Sequence, residues 1–272
     1  MTVVKEVKIE NKILRQKKKG KSKLSLILNT GILGWFLIFS VWSVVSYFSD
    51  PLFLPSPLAT LKGAIEIASD GSLFIYMGYS FARVFAGWTL GLLIAVPTGL
   101  LLGTNPFVRS LLAPIVNFVR FIPPLAFITL FMLWFGIGEQ SKVFLIVYAT
   151  FFVITINTFT GVLSISKDKL RSAQIIGATK FQTLIYVIIP ATIPYIFTGA
   201  KLAMGSSFMA IIGAEMVAAK EGIGFMIWNA RLYFKTEWIF VGLVVLGLMG
   251  FLMDRLFTYL GKKLLSRYKV VS

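Results

Sequence analysis

The sequence predicts an all-α integral membrane protein with six transmembrane helices. Of its 272 residues, 57% are hydrophobic and 14% are charged, and the mean hydropathy is +0.84, which is far more apolar than a soluble domain. A helix needs about 20 residues to cross a bilayer, and uncharged runs of nearly this length recur along the chain. Cysteine and histidine are absent from the sequence, which excludes disulfides, thiolate and imidazole metal sites, and Ser-His or Cys-His catalytic pairs.

The spans can be assigned in chain order. Residues 24–49 are uncharged and longer than the apolar core of a cleaved signal peptide, so we expect the first helix to remain in the mature protein. An amphipathic stretch at 58–70 follows, and it is predicted to be interfacial or extracytoplasmic. The other five spans are predicted at 84–103, from Phe121-Ile122-Pro123-Pro124 to about Gly138, at 143–165, at 194–217 and at 238–260.

Lysines and arginines indicate both the domain limits and the orientation. Nine of the 27 lie in residues 1–23, which we interpret as a basic cytoplasmic tail against anionic headgroups. The transmembrane domain is predicted at 24–262, with a basic cytoplasmic tail at 263–272. With six spans, twenty Lys and Arg, Arg120 among them, lie inside and five lie outside, so both termini are expected in the cytoplasm. The net charge of +16 therefore indicates membrane anchoring rather than a nucleic-acid surface.

One region has two interpretations. Residues 181–214 could form two short spans separated by Lys201, which would give seven spans and an external C-terminus. Because the C-terminal end is basic, and basic residues stay on the cytoplasmic side, we predict instead that Pro190 and Pro194 break the chain and that one span follows.

Residues 166–190 form the only sizeable polar block inside this apolar sequence. We predict a cytoplasmic loop of two short helices. Ser166 can cap the first helix, and Thr179 with Gln182 is typical of a capping box for the second. Pro190 is expected to end the second helix.

The first of these helices has two further features. Asp168 lies in its first turn, where an anion meets the positive helix end. Ala173 and Gly177, four residues apart, form a side-chain-poor stripe on one face, which a partner surface could approach closely.

The block resembles the EAA loop of ABC importer permeases: Glu-Ala-Ala, three residues, Gly, nine residues, then Ile-x-Leu-Pro. Laid on this pattern without gaps, Arg171-Ser172-Ala173 take the Glu-Ala-Ala positions, and Val187, Ile189 and Pro190 match the close. In that family the loop is the coupling helix that docks on the ATPase subunit. The resemblance implies ATPase-coupling roles for Arg171, Ser172, Ala173, Gly177, Ala178 and Pro190, with arginine in place of the family's glutamate at 171.

Further stretches extend the resemblance to permeases of the nitrate, taurine and aliphatic sulfonate type. They are residues 80–87, 120–126, 133–138, 157–161, 194–199, 213–216 and 254–256. The resemblance implies a type I ABC importer permease fold and a homodimer bound to two ATPase subunits. An extracytoplasmic binding protein or lipoprotein would deliver a small anionic solute such as a sulfonate, taurine or nitrate. ATP and Mg²⁺ would be held by the partner ATPase, no cofactor is expected in this chain, and the location would be the bacterial cytoplasmic membrane.

Charged and polar residues within the spans are candidates for the translocation path, because charge in the bilayer is costly and usually faces protein or water. These are Glu215, Asn157, Lys201 and Arg83. Each also has a structural interpretation: an ion pair or interfacial carboxylate for Glu215, snorkelling for Lys201, a tie between helices for Asn157, and an outer-interface anchor for Arg83.

Residues 221–237 of the polar outer segment 219–237 are a candidate docking surface for the binding protein. Gly222 and Gly224 would let the segment fold back, and Trp228 and Arg231 would lie at the outer side. The alternative is simple aromatic anchoring at the membrane interface.

Two other function classes remain as rivals at this stage. A secondary transporter would need ion-coupling carboxylates deep in the membrane, for which Glu215 is the candidate. An intramembrane hydrolase could use only a Ser-Lys pair, such as Lys201 with Ser206 or Ser207.

Overall fold

The computed structural model describes residues 31–264 and contains helices but no strand in that part of the chain. The chain divides into two compact units, one up to Leu61 and one from Lys62. The predicted N-terminal tail, the start of the first predicted span, and the chain beyond residue 264 lie outside the described residues.

In the first unit, α1 (Ile32–Phe48) is an apolar helix of 17 residues, somewhat shorter than a straight crossing of the bilayer requires. Because the predicted span began at residue 24, its first turns are not covered by the description. A turn after α1 is fixed by the indole N–H of Trp42, which donates to the carbonyl of Pro55 over 3.0 Å. The helix α2 (Pro57–Ser69) follows, as the amphipathic stretch predicted, and crosses the boundary between the units.

The second unit contains the remaining helices. They are α3 (Ser72–Thr104), α4 (Pro106–Val119), α5 (Ile128–Phe135), α6 (Glu139–Leu163), α7 (Lys167–Ile175), α8 (Lys180–Thr183), α9 (Ile189–Ala218), α10 (Ile223–Leu232) and α11 (Thr236–Leu264). Within the described residues, four stretches are long and apolar enough to cross a membrane, namely Ser72–Thr104, Glu139–Leu163, Lys180–Ala218 and Thr236–Lys263. The pair α4 and α5, bent by 93°, can make a fifth.

The ends of α3 are fixed by polar groups. Before it, the carboxylate of Asp70 accepts the backbone N–H of Ser72 over 2.8 Å, which holds the pKa of that carboxyl below its usual value. After it, Asn105 caps α4, and its side chain accepts the backbone N–H groups of Phe107 and Val108. The guanidinium of Arg109 donates to the last carbonyls of α3, those of Leu102 and Gly103.

A row of small residues brings α3 and α6 together. Gly87, Gly91, Ala95, Gly99 and Gly103 recur every four residues, and Ala95 is fully buried. A methyl group added at one of these glycines would meet Ile146, Thr150, Thr158 or Val162 of α6. Close backbone contact through small residues is how helices pack in a membrane.

A neighbouring face of α6 packs on α9 in the same way. Gly161 of α6 lies against Thr192 and Tyr195, while Gly199 of α9 lies against Asn157. Thus α6 is enclosed between two long helices and forms the centre of the second unit.

The prediction that Pro190 and Pro194 break the chain is wrong. Both lie in a continuous helix, Lys180–Ala218. A π-helical turn at Leu184–Ile188 precedes Pro190, and the N–H of Ile189 bonds to the carbonyl of Leu184, five residues back. The wider turn changes the hydrogen-bond register before Pro190, so the missing N–H and the ring are accommodated without a break. The single-span interpretation is retained because no break occurs at Lys201.

Candidate functional site

The polar loop 166–190 folds largely as predicted. Asp168 lies in the first turn of α7, but Ser166 occupies the cap position without a side-chain hydrogen bond, so the predicted cap is wrong in that detail. The capping box of α8 is present: the N–H of Gln182 donates to the Thr179 hydroxyl over 3.2 Å, and the N–H of Thr179 donates to the Gln182 side chain over 2.8 Å.

The turn between α7 and α8 depends on Gly177, whose φ is 78°. The N–H of Gly177 donates to the carbonyl of Gln174, and that of Ala178 donates to the carbonyl of Ala173, each over 3.0 Å. This pair of bonds is the Schellman ending of a helix, which favours glycine at the left-handed position. Gly177 therefore sets the angle at which the chain leaves α7.

The small-residue stripe does not face outward along its length. Ala173 is only 4% exposed. Its neighbours Leu170 and Gln174 line a cavity of about 680 Å³ between α7 and the end of α3. The outward face carries Arg171 and Ile175, which are four residues apart. Ile175 and Ile176 are 85% and 82% exposed. The face available to a partner is thus basic and apolar, not the predicted stripe at Ala173.

At the other end of the long helices, Arg83 lies at the centre of a charge cluster in which Arg83, Lys142 and Glu215 are buried and Glu139 is exposed. Its Nη1 donates to Glu215 Oε1 over 2.7 Å and to the carbonyl of Glu221 over 2.6 Å. Its Nε and Nη2 form a bidentate pair with Glu139, whose carboxylate also accepts Lys142 Nζ over 2.7 Å. We call Arg83, Glu139, Lys142 and Glu215, with Ser80, the Arg83 cluster; its two cations and two carboxylates balance.

Glu215 is fully enclosed by hydrogen-bond donors. Its carboxylate accepts the Ser80 hydroxyl and the N–H of Gly224 over 2.9 Å, and the Ser80 oxygen accepts the N–H of Ile223 over 2.8 Å. Gly222, with a φ of 125°, lies so close to this carboxylate that any side chain there would overlap it. The glycines fold the segment back, as predicted, but they are buried and are not part of a docking surface.

The remaining predicted path residues occur in separate places. Lys201 Nζ contacts Asp254 over 3.0 Å and the Thr258 hydroxyl over 2.9 Å, so it is paired across to α11. Asn157 donates to the carbonyl of Val153 in its own helix over 2.8 Å. Neither partner was predicted. A path role for Glu215, Arg83, Lys201 and Asn157 stays a prediction, whereas these contacts are those of structural residues.

A cavity of about 310 Å³ lies where α4 bends into α5. Its lining includes Arg120, Pro123, Tyr148, Phe152, Ser206 and Met209. The sequence assigned Arg120 to the cytoplasmic side, but the structure brings it next to residues at the centre of α6. In the sequence, Pro123 and Pro124 were the signal for this cavity, because a break within a span exposes backbone polar groups.

In the solvent-facing part of α10, the guanidinium of Arg231 lies 5.0 Å from the ring centre of Trp228. Arg231 is exposed and Trp228 is partly buried. These two residues are thus available for contact, unlike the glycines that precede them.

Comparison with known proteins gives consistent matches. Residues 72–266 match the family described as binding-protein-dependent transport system inner membrane component. A probable ABC transporter permease protein of Brucella melitensis is 37% identical over 226 residues, which are 83% of this chain and 89% of that protein. The taurine transport system permease protein of Escherichia coli is 32% identical (91% and 93% covered). The bicarbonate transport system permease protein of Synechococcus elongatus is 33% identical (91% and 93% covered).

A solved structure has a similar fold. A chain of the inward-facing MetNI methionine ABC transporter matches with a TM-score of 0.54 at 20% identity, covering 66% of this chain and 92% of that chain. At this identity the likeness concerns the fold alone.

Proposed function

Because this chain belongs to the family of binding-protein-dependent transport system inner membrane components, we propose that its 166–190 loop is the surface through which an ATPase subunit drives transport. The chain is the permease subunit of an ABC importer and has the type I importer permease fold. It spans the membrane and is not an enzyme; ATP hydrolysis belongs to a separate chain. The alternative of a secondary transporter using Glu215 finds no support.

The observation that carries this proposal is the outward face of α7. Ile175 and Ile176 are almost fully exposed in a polar loop, and covering such a side chain is favourable by about 1.5–3 kcal/mol. Around them lie Lys167, Lys169 and Arg171, all exposed and without an ion-pair partner in the part of the chain that the structure describes. An apolar centre with a charged rim is the usual composition of a protein interface.

The charge of this face suggests the chemistry of its partner. Arg171 replaces the family's glutamate, and Asp168 is the one acidic residue in α7. We therefore propose that the groove of the matching ATPase subunit has an apolar floor and an acidic rim. Complementary charge of this kind selects the partner and speeds association.

Further partners follow from the family. An extracytoplasmic binding protein belongs to such importers, and we propose that it docks on Arg231, which is exposed, and Trp228, which is partly buried. Gly222 and Gly224 would serve this surface by folding the segment back onto Glu215. A second copy of the chain would complete the path, with both termini in the cytoplasm. In bacteria the family's location is the inner membrane.

The cargo is proposed from chemistry that the named relatives share. Taurine and bicarbonate are both small and carry an oxyanion group. Because the two relatives are about equally similar to this chain, sequence identity does not favour one solute over the other. We propose a small solute that carries an oxyanion.

The test is a mild-detergent pull-down of the tagged chain with mass spectrometry. The wild-type chain should retain an ATPase subunit in near one-to-one amount. Ile176→Asp should reduce the retained ATPase about tenfold, because it removes an apolar contact of the interface. Ile137→Asp is the matched control, since Ile137 is 77% exposed and lies in the turn after α5. Equal retention by both variants would contradict the coupling surface.

A further inference from the structure

We propose that the cavity at the bend between α4 and α5 is an anion site in the transport path, with Arg120 as its positive charge. This inference rests on the proposed transport function and adds the residues and the charge of the site. It is carried by three observations: the depth of the cavity, the broken backbone beside it, and the unpaired guanidinium.

The cavity lies at the mid-depth of a membrane-spanning helix. Tyr148 and Phe152 line it, and both lie in the central part of α6, which extends from Glu139 to Leu163. The Tyr148 hydroxyl donates to the carbonyl of Val119 over 2.9 Å and contacts that of Ile122 over 3.1 Å. These bonds fix the bend at the same depth as the centre of α6.

The backbone at this depth is not continuous. The α4 helix ends at Val119, a 3₁₀ turn begins at Pro124, and the two helical arms meet at 93°. Non-helical backbone inside the apolar layer is tolerated only where it is buried in protein or lines water. In secondary transporters, interrupted helices near the bilayer midplane are also where substrates bind. The bend and the cavity together therefore indicate a water-containing site.

Arg120 provides the positive charge of this site. Its guanidinium lies 4.8 Å from the ring centre of Phe121, and it has no ion-pair partner among residues 31–264. Arg83 and Lys201, in contrast, are paired with carboxylates. Among the described residues, no acidic side chain lines the cavity, whose polar groups include the Ser206 hydroxyl. A positive charge at this depth is costly without a partner, and a small anion can supply one.

The absence of cysteine from the sequence allows a direct test that does not require the cargo. Ser206→Cys would be introduced into the full chain, assembled with its partners in nanodiscs. It would be treated with anionic sulfonatoethyl methanethiosulfonate or cationic trimethylammonioethyl methanethiosulfonate. We expect the anionic reagent to react about tenfold faster than the cationic one, because the guanidinium attracts it.

The preference should disappear when Ser206→Cys is combined with Arg120→Gln and persist with Arg120→Lys. Ser69→Cys, at an exposed position at the end of α2, is the control, and its reagent preference should not change with Arg120→Gln. No reaction at Ser206→Cys, or equal rates with both reagents, would overturn the anion site. If the ATPase is retained in the pull-down and the preference is absent, this inference alone fails; if no ATPase is retained, the proposed function fails.

Discussion

At the residue scale, Arg83 joins four segments of the chain through one guanidinium. It contacts Glu139 of α6, Glu215 of α9 and the carbonyl of Glu221 before α10, while its own backbone belongs to α3. The Arg83 side chain is 5% exposed and that of Glu215 is not exposed. Removing one member of a buried pair leaves the other charge without compensation, which costs more than the pair itself contributes.

We therefore expect Arg83→Gln to lower the stability of the folded chain by about 3–5 kcal/mol, measured as a lower melting temperature in detergent. The double variant Arg83→Gln with Glu215→Gln should recover part of the loss, because the isolated buried carboxylate is then neutral. Arg231→Gln, a surface change, should have little effect. Similar melting temperatures for Arg83→Gln and Arg231→Gln would show that the cluster is not a major source of stability.

The sequence identified the members of these pairs but not the pairs themselves. Glu215 and Arg83 were both recognised as charges within spans, yet they are 132 residues apart. Lys201 and Asp254 are a second case. Nothing local in a single sequence tells which distant charge lies opposite, so alternatives such as snorkelling for Lys201 stayed open until the helices were placed in space.

At the element scale, the sequence predicts that α3 packs closely against another helix, but it does not predict that this helix is α6. The four-residue glycine spacing predicts close packing, and α3 uses that face throughout. The partner helix could not be named from spacing, since Ile146, Thr150, Thr158 and Val162 do not form an unusual pattern. Pro190 led to a wrong prediction of a break, because a π turn before it accommodates the proline within a continuous helix.

Gly91 offers a test of this packing. A methyl group there would overlap the Thr150 hydroxyl, so we expect Gly91→Ala to destabilise the fold by about 1–3 kcal/mol through overpacking. Gly78→Ala is a matched control in the same helix, because no atom in the described part of the chain lies within 4 Å of the added methyl; it should be neutral or slightly stabilising.

Thr150→Ala should restore much of the melting temperature that Gly91→Ala loses, because the hydroxyl is the closest obstructing atom. The measurement is thermal unfolding of the purified variants in one detergent. An equal response to Gly91→Ala and Gly78→Ala would mean that the two helices are not in close contact at this level.

At the scale of the whole molecule, the proposed coupling loop and the Arg83 cluster are joined by one continuous helix. Residues 180–218 run without a break for 39 residues, or about 58 Å at 1.5 Å per residue. The capping box lies at the start of this helix and Glu215 near its end. Because the sequence placed a break at Pro190, it did not predict this connection. A force applied to α8 can therefore act on the helix as a whole rather than on a flexible joint.

Coupling between the ATPase and this long helix should therefore be most sensitive to the angle at which α7 meets the helix. Gly177 has a φ of 78°, and no atom of residues 31–264 lies within 4 Å of an added Cβ, so backbone conformation rather than space restricts the residue there. Asparagine tolerates the left-handed conformation, whereas bulky side chains do not.

We expect Gly177→Trp to insert in the membrane normally but to lose most of the binding-protein-stimulated ATPase activity of the reconstituted complex, and Gly177→Asn to retain it. Basal ATPase activity and the amount of inserted chain are the controls. Full stimulation in Gly177→Trp would mean that the loop geometry does not transmit the signal, and the ATPase would then have to act on another cytoplasmic surface of the chain.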